Sequence, residues 1–361
     1  MKIEKIETTA VELKLRTPIV NASRIKVDSV GCVLVRLRTD AGIDGESLLF
    51  SLRSQYLPPL QAMVDALGKT IVGENPAYPE RIWEKLWREM YFFGFAGISV
   101  FAISALDTAL WDAHAKSLNL PLATLLGGFR AEVPAYASQG LWVGATTDEL
   151  IEEAAGFKAG GFKAMKMRLG LGMDEDVRRV KAVREAVGYD VSLMADCSRG
   201  FTVDHAIRLG RKLEEFRLTW LEEPVPAQDI AGIAEVAAAL DTPVAIGESD
   251  YTSYGFRRIL EARAAGIWMM DLQRVGGISE MKKVAALARA HDIPVSNHIF
   301  TEHSLAVLST ISNCNVIEYV DWFEELYEQR VEMANGCLRV PERPGVGFTF
   351  DWKRIERMKV N

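Results

Sequence analysis

The chain has 361 residues, 49% of them hydrophobic and 25% charged, and this composition excludes both a short peptide module and an intrinsically disordered protein. Its formal charge is −7, and no cluster of Lys and Arg is long enough to follow a nucleic-acid backbone. No apolar run of about 18 residues predicts a membrane span, and the polar start of the chain does not resemble a signal peptide. We therefore expect a cytoplasmic protein with neither nucleic acid nor membrane as its partner.

The first 125 residues predict a small α+β domain. Residues 3–13 and 30–38 are rich in β-branched side chains and show the alternation that is typical of strands. The segment Asp40–Gly42 provides a turn, after which the chain returns as the second arm of a hairpin. Over residues 54–116 the apolar residues recur with the 3.6-residue period of helices. An antiparallel sheet followed by helices is expected here.

Eight short apolar runs, separated by helical stretches, follow this domain. Runs that are short and apolar on both faces suit parallel strands covered by helices, and eight of them favour a closed barrel over an open doubly wound sheet. We therefore predict a barrel over residues 126–330 and a capping domain over residues 1–125, which the C-terminal segment 331–361 joins. The eight predicted strands are Ala135–Ser138, Phe162–Met167, Val191–Asp196, Thr219–Glu222, Val244–Glu248, Ile267–Asp271, Val295–His298 and Val316–Glu318.

Three carboxylates end three successive predicted strands. Asp196, Glu222 and Glu248 follow one another at equal steps in the sequence, and the carboxyl ends of barrel strands form the rim where barrel enzymes place their active sites. Crowded carboxylates repel one another unless a cation lies between them, and ligation by oxygen alone suits Mg²⁺. Each carboxylate by itself could cap a helix or pair with a surface lysine. The regular spacing of all three favours a magnesium site.

The other strand ends carry groups suited to proton transfer. Asp271 and His298 end neighbouring strands, and a carboxylate that bonds imidazole fixes its tautomer and raises its basicity. Lys166 and Arg168 share one face of the second strand, where they can bind a substrate carboxylate or remain solvated. Glu318 ends the eighth strand and could donate a hydrogen bond to a developing oxyanion if it stays protonated. These groups suit the removal of the proton α to a carboxylate through an enediolate.

The whole chain resembles the enolase superfamily, and within it the mandelate racemase subgroup. The resemblance implies an α/β fold, a (β/α)7β TIM-like barrel with an N-terminal α+β capping domain, and Mg²⁺ held by Asp196, Glu222 and Glu248. It assigns the general base to Asp271 and His298, and it implies a small-molecule carboxylate substrate and a homo-oligomer of up to eight copies. The motifs that carry the resemblance are Ala105-Leu106-Asp107, Trp111-Asp112, Leu126-Gly127-Gly128, Trp220-Leu221-Glu222-Glu223-Pro224, Gly247-Glu248 and Gly276-Gly277, with Asp196, Asp271 and His298.

One motif departs from the subgroup pattern. The second barrel strand of the subgroup commonly reads Lys-x-Lys, with the second lysine acting as a base, whereas this chain has Lys166-Met167-Arg168. Arginine stays protonated at neutral pH, so racemisation with two bases is disfavoured. His298 can instead take the α-proton and return it to a departing β-hydroxyl. Lys166 would then hold the carboxylate, and Arg168 would bind either that carboxylate or a substrate hydroxyl.

Two cap-domain loops, residues 17–27 and 50–56, correspond to the segments that set specificity in this family. Their polar side chains suit a hydroxylated and even dicarboxylic acid better than an aryl substrate, although they could equally be ordinary solvated loop residues. The candidates for substrate contact are Asn21, Arg24, Arg53 and Tyr56.

The sequence thus favours a Mg²⁺-dependent lyase that dehydrates a sugar acid to a 2-keto-3-deoxy acid. A racemase, epimerase or cycloisomerase that uses the same intermediate is the first alternative. A non-catalytic barrel that retains the metal site is the second. The sequence leaves open which stereochemistry of the sugar is accepted.

Overall fold

A three-stranded antiparallel sheet followed by helices forms the N-terminal part of the chain, as predicted. The computed structural model describes residues 1–20 and 26–360. The turn of the predicted hairpin contains Gly42 at φ 71°, a left-handed conformation that glycine adopts without steric cost. The strands, which pair in chain order, are β1 (Ile3–Val20), β2 (Lys26–Thr39) and β3 (Asp44–Ser51). The helices are α1 (Leu57–Thr70), α2 (Pro79–Glu89), α3 (Ile98–Ser117) and the short α4 (Leu122–Leu125).

Helix α3 is buried on two faces, whereas the sequence pattern predicts only one apolar stripe. On that stripe Leu106 and Leu110 pack with Val33 of β2 in the core of the cap. On the other face Asp107 accepts hydrogen bonds from the main-chain N (2.9 Å) and the Oγ (2.6 Å) of Ser279, a barrel residue. Helix α3 therefore lies between the cap and the barrel and contacts both.

Eight parallel strands, joined by seven helical crossovers, form a (β/α)7β barrel. Each predicted run overlaps one strand, and the strands are β4 (Glu132–Ala137), β5 (Ala164–Arg168), β6 (Ser192–Asp196), β7 (Leu221–Glu222), β8 (Val244–Ile246), β9 (Ile267–Asp271), β10 (Val295–His298) and β11 (Ile317–Tyr319). Strands β4 to β10 pair in chain order, and β11 pairs with β4. The main-chain N of Glu318 on β11 donates to Asn297 Oδ1 on β10 at 2.7 Å, which links the last two strands of the ring.

The crossover helices cover the outside of the barrel. They are α5 (Thr147–Ala159), α6 (Met173–Val187), α7 (Val203–Leu213), α8 (Ile230–Ala239), α9 (Thr252–Ala262), α10 (Leu272–Val275), α11 (Ile278–Arg289) and α12 (Thr301–Leu308). Helices α10 and α11 share one crossover. Among the described residues, no helix combines the length and the apolar character that a membrane span requires.

The register of the strands sets charged groups at one level of the barrel rim. Arg168 pairs with Asp196, Asp196 with Glu222, and Asp271 with His298, each at the carboxyl end of its strand. Apolar side chains of mixed size fill the barrel below this level, so the interior is a packed core and the rim is the place for a site. The interior cluster contains Tyr136, Ala164, Met194, Trp220, Ala245 and Met269.

The C-terminal segment contacts both parts of the molecule. A hairpin pairs antiparallel with β4, so this portion lies on the barrel rather than on the cap. Beyond the hairpin, the main-chain N of Val346 donates to Asp112 Oδ1 (2.8 Å) and Trp352 Nε1 donates to Glu46 Oε1 (2.7 Å). The expected packing on the first unit therefore begins after the hairpin. The segment comprises β12 (Met333–Ala334), β13 (Cys337–Arg339) and the short α13 (Trp352–Ile355).

Glu302 on α12 is a deeply buried carboxyl group. It is 1% exposed, and neither of its side-chain oxygens has a hydrogen-bond partner within residues 1–20 and 26–360. Burial, reinforced by the nearby carboxylates of Glu324 and Asp321, raises the pKa of Glu302 to about 8. The folded protein therefore keeps this group protonated at neutral pH, whereas an unfolded chain ionises it.

Replacing Glu302 with Gln should change how stability depends on pH. Because the pKa in the folded state, about 8, lies above the ordinary 4.5, the stabilisation is complete below pH 4.5 and is lost as the pH rises through 8. Relative to Glu302→Gln, the wild type should lose on the order of 3 kcal/mol of unfolding free energy between about pH 5 and pH 9 in urea denaturation. Glu235→Gln, exposed on α8, should leave the wild-type profile unchanged. Identical profiles for Glu302→Gln and the wild type would contradict a neutral buried carboxyl.

Candidate active site

Eight side chains that were predicted from the sequence lie at the carboxyl ends of the barrel strands. Most are buried, and solvent reaches chiefly Asp196, Glu248 and His298. Gly247 carries the chain out of β8 at φ 124°, where a Cβ would lie 2.8 Å from the Met269 main-chain oxygen, so only glycine fits before Glu248. The eight residues are Lys166, Arg168, Asp196, Glu222, Glu248, Asp271, His298 and Glu318.

Each of the three predicted metal ligands is paired with a basic side chain. Within residues 1–20 and 26–360, no three His, Cys, Asp or Glu side chains are grouped as a ready-made metal cluster. The carboxylates are therefore held by cations rather than gathered around one point, because buried acids need a compensating positive charge. The ion pairs are Lys166–Glu222 (2.5 Å), Arg168–Asp196 (3.6 Å) and Arg199–Glu248 (3.6 Å).

The pKa of Glu222 shows that the three carboxylates influence one another. Burial is the largest cause that raises this pKa, to about 7; Asp196 and Glu248 add to the rise, and Lys166 opposes it. Trp220 Nε1 donates to Glu222 Oε2 at 2.8 Å from the barrel interior and so orients the carboxylate. Oxygen donors at three adjacent strand ends, with their repulsion only partly relieved, suit a hard divalent cation. The donor set therefore fits Mg²⁺.

His298 and Asp271 form a hydrogen-bonded pair. His298 Nδ1 lies 2.7 Å from Asp271 Oδ2, and because the carboxylate accepts, Nδ1 carries the hydrogen. His298 Nε2 lies 3.4 Å from Glu248 Oε2. Burial alone would lower the pKa of His298, but Glu248 and Asp271 outweigh burial and raise it to about 9. One carboxylate thus orients the imidazole, whose second nitrogen is directed toward the candidate metal ligands.

Two arginines at the rim were not predicted from the sequence. Arg274 donates from its main-chain N to Asp271 Oδ1 (2.8 Å) and from Nη1 to Asp271 Oδ2 (3.1 Å), so it helps to hold the carboxylate of the pair. Arg199 donates to Ser249 Oγ at 2.6 Å. Each arginine stands three residues after a strand-end acid, Asp196 or Asp271. That spacing is the signal that could have identified them.

Lys166, Glu222 and Glu318 form one buried ionic network. Lys166 Nζ lies 2.9 Å from Glu318 Oε1, and its two carboxylate partners outweigh burial and keep its pKa above the ordinary value. Glu318 also accepts from Ser138 Oγ (2.5 Å) and from the main-chain N of Ile299 (2.6 Å). Burial alone would raise the pKa of Glu318, but Lys166 and the other partners lower it to about 2. The expectation of a protonated Glu318 that donates a hydrogen bond is therefore wrong, because a lysine cation lies against it.

Arg168 binds the protein itself. Its Nη1 donates to the main-chain oxygens of Ser138 (2.9 Å) and Gly140 (3.0 Å), and its Nη2 donates to Ser138 Oγ (2.8 Å). Its guanidinium carbon lies 4.1 Å from the ring centroid of Trp142. Through its terminal nitrogens Arg168 fixes the segment 138–142 at the rim. The expected contact of Arg168 with a substrate carboxylate or hydroxyl stays a prediction.

The predicted specificity residues are only partly described. Arg53 and Tyr56 lie on the cap segment after β3, where a single 3₁₀ turn (Ser54–Tyr56) leads into α1, and both side chains are exposed. Asn21 and Arg24 lie outside the described residues. The contact of these four residues with a substrate stays a prediction.

Aromatic side chains border the site, and the sequence reasoning missed them. Phe50 of the cap lies beside Trp322 (ring centroids 5.7 Å apart) and Phe300 (6.5 Å). Trp322 also stacks on Trp142 at 6.4 Å. Trp142, Phe300 and Trp322 each follow the end of a barrel strand closely. The rule that located the charged residues at strand ends would therefore also have located these aromatic residues. We call Phe50, Trp142, Phe300, Trp322 and Phe323 the aromatic wall. It makes this side of the site more apolar than the cap loops suggested.

Comparisons with known proteins agree with this architecture. Residues 4–127 match the family model described as mandelate racemase / muconate lactonizing enzyme, N-terminal domain, and residues 149–354 match the model described as enolase C-terminal domain-like. Together the two models span most of the chain.

Individual relatives cover nearly the whole chain. The L-talarate/galactarate dehydratase of Salmonella typhimurium strain LT2 is 32% identical over 97% of this chain and 89% of its own length. The D-galactarolactone cycloisomerase of Agrobacterium fabrum is 33% identical over 97% of both proteins. The solved structure of L-talarate dehydratase from Polaromonas sp. JS666, complexed with Mg and L-glucarate, superposes with a TM-score of 0.94 at 31% identity, covering 100% of this chain and 98% of that one.

Replacing Arg168 with Met should destabilise the protein. The substitution leaves the main-chain oxygens of Ser138 and Gly140 without a donor and leaves Asp196 without its cation. We expect a loss of about 2–4 kcal/mol of unfolding free energy in urea denaturation. The matched control is Arg178→Met, which breaks an exposed ion pair with Glu175 and should cost less than about 0.5 kcal/mol. Wild-type stability combined with lost activity in Arg168→Met would instead assign the guanidinium to the substrate.

Proposed function

We propose that this chain, which belongs to the mandelate racemase / muconate lactonizing enzyme family of the enolase superfamily, is a sugar acid dehydratase that removes the proton α to a carboxylate. One observation carries the proposal: the hydrogen-bonded pair His298–Asp271 (2.7 Å) lies beside the carboxylates of three adjacent strand ends, with His298 Nε2 3.4 Å from Glu248. The relatives support it, since two sugar acid enzymes, a dehydratase and a cycloisomerase, cover almost the whole chain.

We infer that Asp196, Glu222 and Glu248 hold Mg²⁺, the ion bound with L-glucarate in the similar Polaromonas structure. The side chains of Asp196 and Glu248 keep 13% and 10% of their surface exposed, which gives a cation access to the rim, whereas Glu222 is fully buried. A bound Mg²⁺ would supply positive charge that stabilises the enediolate form of the substrate. Because the three carboxylates already face cations, ion binding has to compete with Lys166 and Arg199 for them.

The chain's own residues divide the proton transfers among them. Lys166 remains cationic and attracts the substrate carboxylate. In its neutral form His298 takes the α-proton at Nε2, and Asp271 holds the resulting imidazolium through Nδ1. The imidazolium then returns this proton to the β-hydroxyl as the C–O bond breaks, so that water leaves. The remaining enol rearranges to a 2-keto-3-deoxy acid.

A racemase fits these residues less well than a lyase. Racemisation needs a second base on the face opposite His298, where the two candidates are Lys166 and Arg168. Two carboxylates keep Lys166 cationic, and the guanidinium of Arg168 is bound to main-chain oxygens. A cycloisomerase remains the second candidate, because one relative at 33% identity carries that activity and breaking a ring C–O bond requires the same single base. The homo-oligomer and the cytoplasmic location stay predictions.

A panel of aldonic and aldaric acids should contain at least one substrate whose product reacts with semicarbazide. His298→Asn should reduce turnover by at least about 10²-fold, while His291→Asn, exposed at the end of α11, should not. Reaction in deuterium oxide separates the candidates: exchange of the α-hydrogen without loss of water indicates a racemase or epimerase, and an isomeric keto acid formed from a lactone indicates a cycloisomerase. If a broad panel gives no product and no exchange of the α-hydrogen, the dehydratase proposal is refuted and the non-catalytic barrel is favoured.

Binding of Mg²⁺, followed by calorimetry without substrate, should identify the ligands. Asp196→Asn, Glu222→Gln and Glu248→Gln should each weaken Mg²⁺ binding by at least about tenfold, because each removes a charged oxygen donor. Asp271→Asn is the matched control, since it alters a strand-end carboxylate whose oxygens are already bound by Arg274 and His298. Equal weakening in Asp271→Asn would contradict the assignment of the ligands.

A further inference from the structure

Gln273 joins the barrel to the cap at the edge of the active site. The residue is 5% exposed, lies on α10, and follows Asp271 by two positions. Its Oε1 accepts from the main-chain N of Phe50 at 2.7 Å, and its Nε2 donates to the main-chain O of the same residue at 3.3 Å. One side-chain amide therefore binds both main-chain polar groups of a single cap residue.

This contact satisfies the main-chain hydrogen-bonding groups of Phe50 on the edge strand of the cap sheet. Among residues 1–20 and 26–360, β3 is an edge strand that pairs only with β2, where Phe50 lies opposite Cys32, so the outward N–H and C=O of Phe50 have no neighbouring strand there. Unpaired main-chain groups are costly when they are withdrawn from water. The amide of Gln273 has the same donor and acceptor as a peptide group and takes the place of a fourth strand at this one residue.

Phe50 connects this contact to the catalytic groups. Its ring packs against Phe300 (6.5 Å) and Trp322 (5.7 Å) in the aromatic wall. Phe300 follows His298 by two residues, and Trp322 follows Glu318 by four. The position of Phe50 therefore sets how close the cap approaches the general base, and the segment after it contains the exposed residues Arg53 and Tyr56.

We propose that Gln273 is a positioning residue that holds the cap segment 50–56 over the active site and thereby limits which substrates fit at the end remote from the reacting carboxylate. The effect of Gln273 on substrate selectivity rests on the proposed function, whereas its effect on the position of the cap segment is independent of turnover. Because Asp271 caps the short helix on which Gln273 lies, the general-base pair and the cap share one support.

Other cap–barrel hydrogen bonds provide a comparison. Ser104 Oγ on α3 donates to the main-chain O of Leu272 at 2.7 Å, so it also joins the cap to α10, but its hydrogen bond is not to Phe50. Ser104→Ala removes one buried hydrogen bond from the same interface. It is therefore a matched control for any effect that comes only from a weaker interface.

Hydrogen–deuterium exchange of the intact protein tests the position of the segment. Amides of residues 50–56 should exchange about tenfold faster in Gln273→Ala than in the wild type, and Ser104→Ala should stay within about twofold of it. Gln273→Glu keeps the acceptor for the Phe50 N–H but loses the donor to its carbonyl, so it should give an intermediate rate and covers the case in which the alanine variant does not fold. Equal exchange in Gln273→Ala and Ser104→Ala would overturn the proposal.

Steady-state kinetics test the consequence for substrates. In Gln273→Ala, KM should rise by about tenfold, while kcat and the rate of α-hydrogen exchange stay within about threefold of the wild type, because the general-base pair is untouched. Selectivity between two sugar acids that differ only at the carbon farthest from the reacting carboxylate should fall by a similar factor. Changes in KM and selectivity no larger than those of Ser104→Ala would overturn the role in specificity. A wild type that turns over nothing would refute the proposed function alone, since the exchange measurement still decides the position of the segment.

Discussion

Compensation of buried charge at the barrel rim is the constraint on which the rest of this structure depends. Five acids and five basic side chains form a set of ion pairs there, with Lys166 between Glu222 and Glu318 at the centre. In a low dielectric none of these groups is tolerated alone, so each fixes the position of its neighbours. The network therefore explains both the ionised state of Glu318 and the cationic state of Lys166.

The same constraint favours chemistry on one side of a substrate. Arg168 stands where the related subgroup commonly has a lysine, but it bonds the main-chain oxygens of Ser138 and Gly140 and stacks on Trp142. A residue that builds the rim in this way cannot also exchange protons with a substrate. His298, oriented by Asp271, is left as the base, and a single base suits elimination better than inversion.

The cap depends on the barrel for its final position. Hydrogen bonds from barrel residues Ser279 and Gln273 reach α3 and the end of β3, so the cap is fixed close to the segment that follows Asp271. The aromatic wall then packs Phe50 against rings that follow the catalytic strands. Specificity and catalysis are thus joined by a few residues that lie directly after one strand.

Local regularities of the chain were enough to predict the eight barrel strands and the carboxylates that end them, because a repeated strand–helix unit places every strand end on one rim. The pairing of Asp271 with His298 followed from the same rule, since their strands are neighbours in the sequence and in the sheet. The roles of Arg168 and Glu318 could not be predicted in this way, because each depends on partners brought from other strands: Ser138 for Arg168, and Lys166 for Glu318.

The sequence by itself determined the barrel, the acidic rim and the candidate base, since each of these is encoded in the order and spacing of residues along one repeating pattern. Only the tertiary structure decided which groups are neutral, which are charged and which are already bound. Those properties depend on burial and on contacts between residues far apart in the sequence, such as the bond between Gln273 and Phe50. No local pattern specifies the distance between two segments that meet only where the folded cap packs on the barrel.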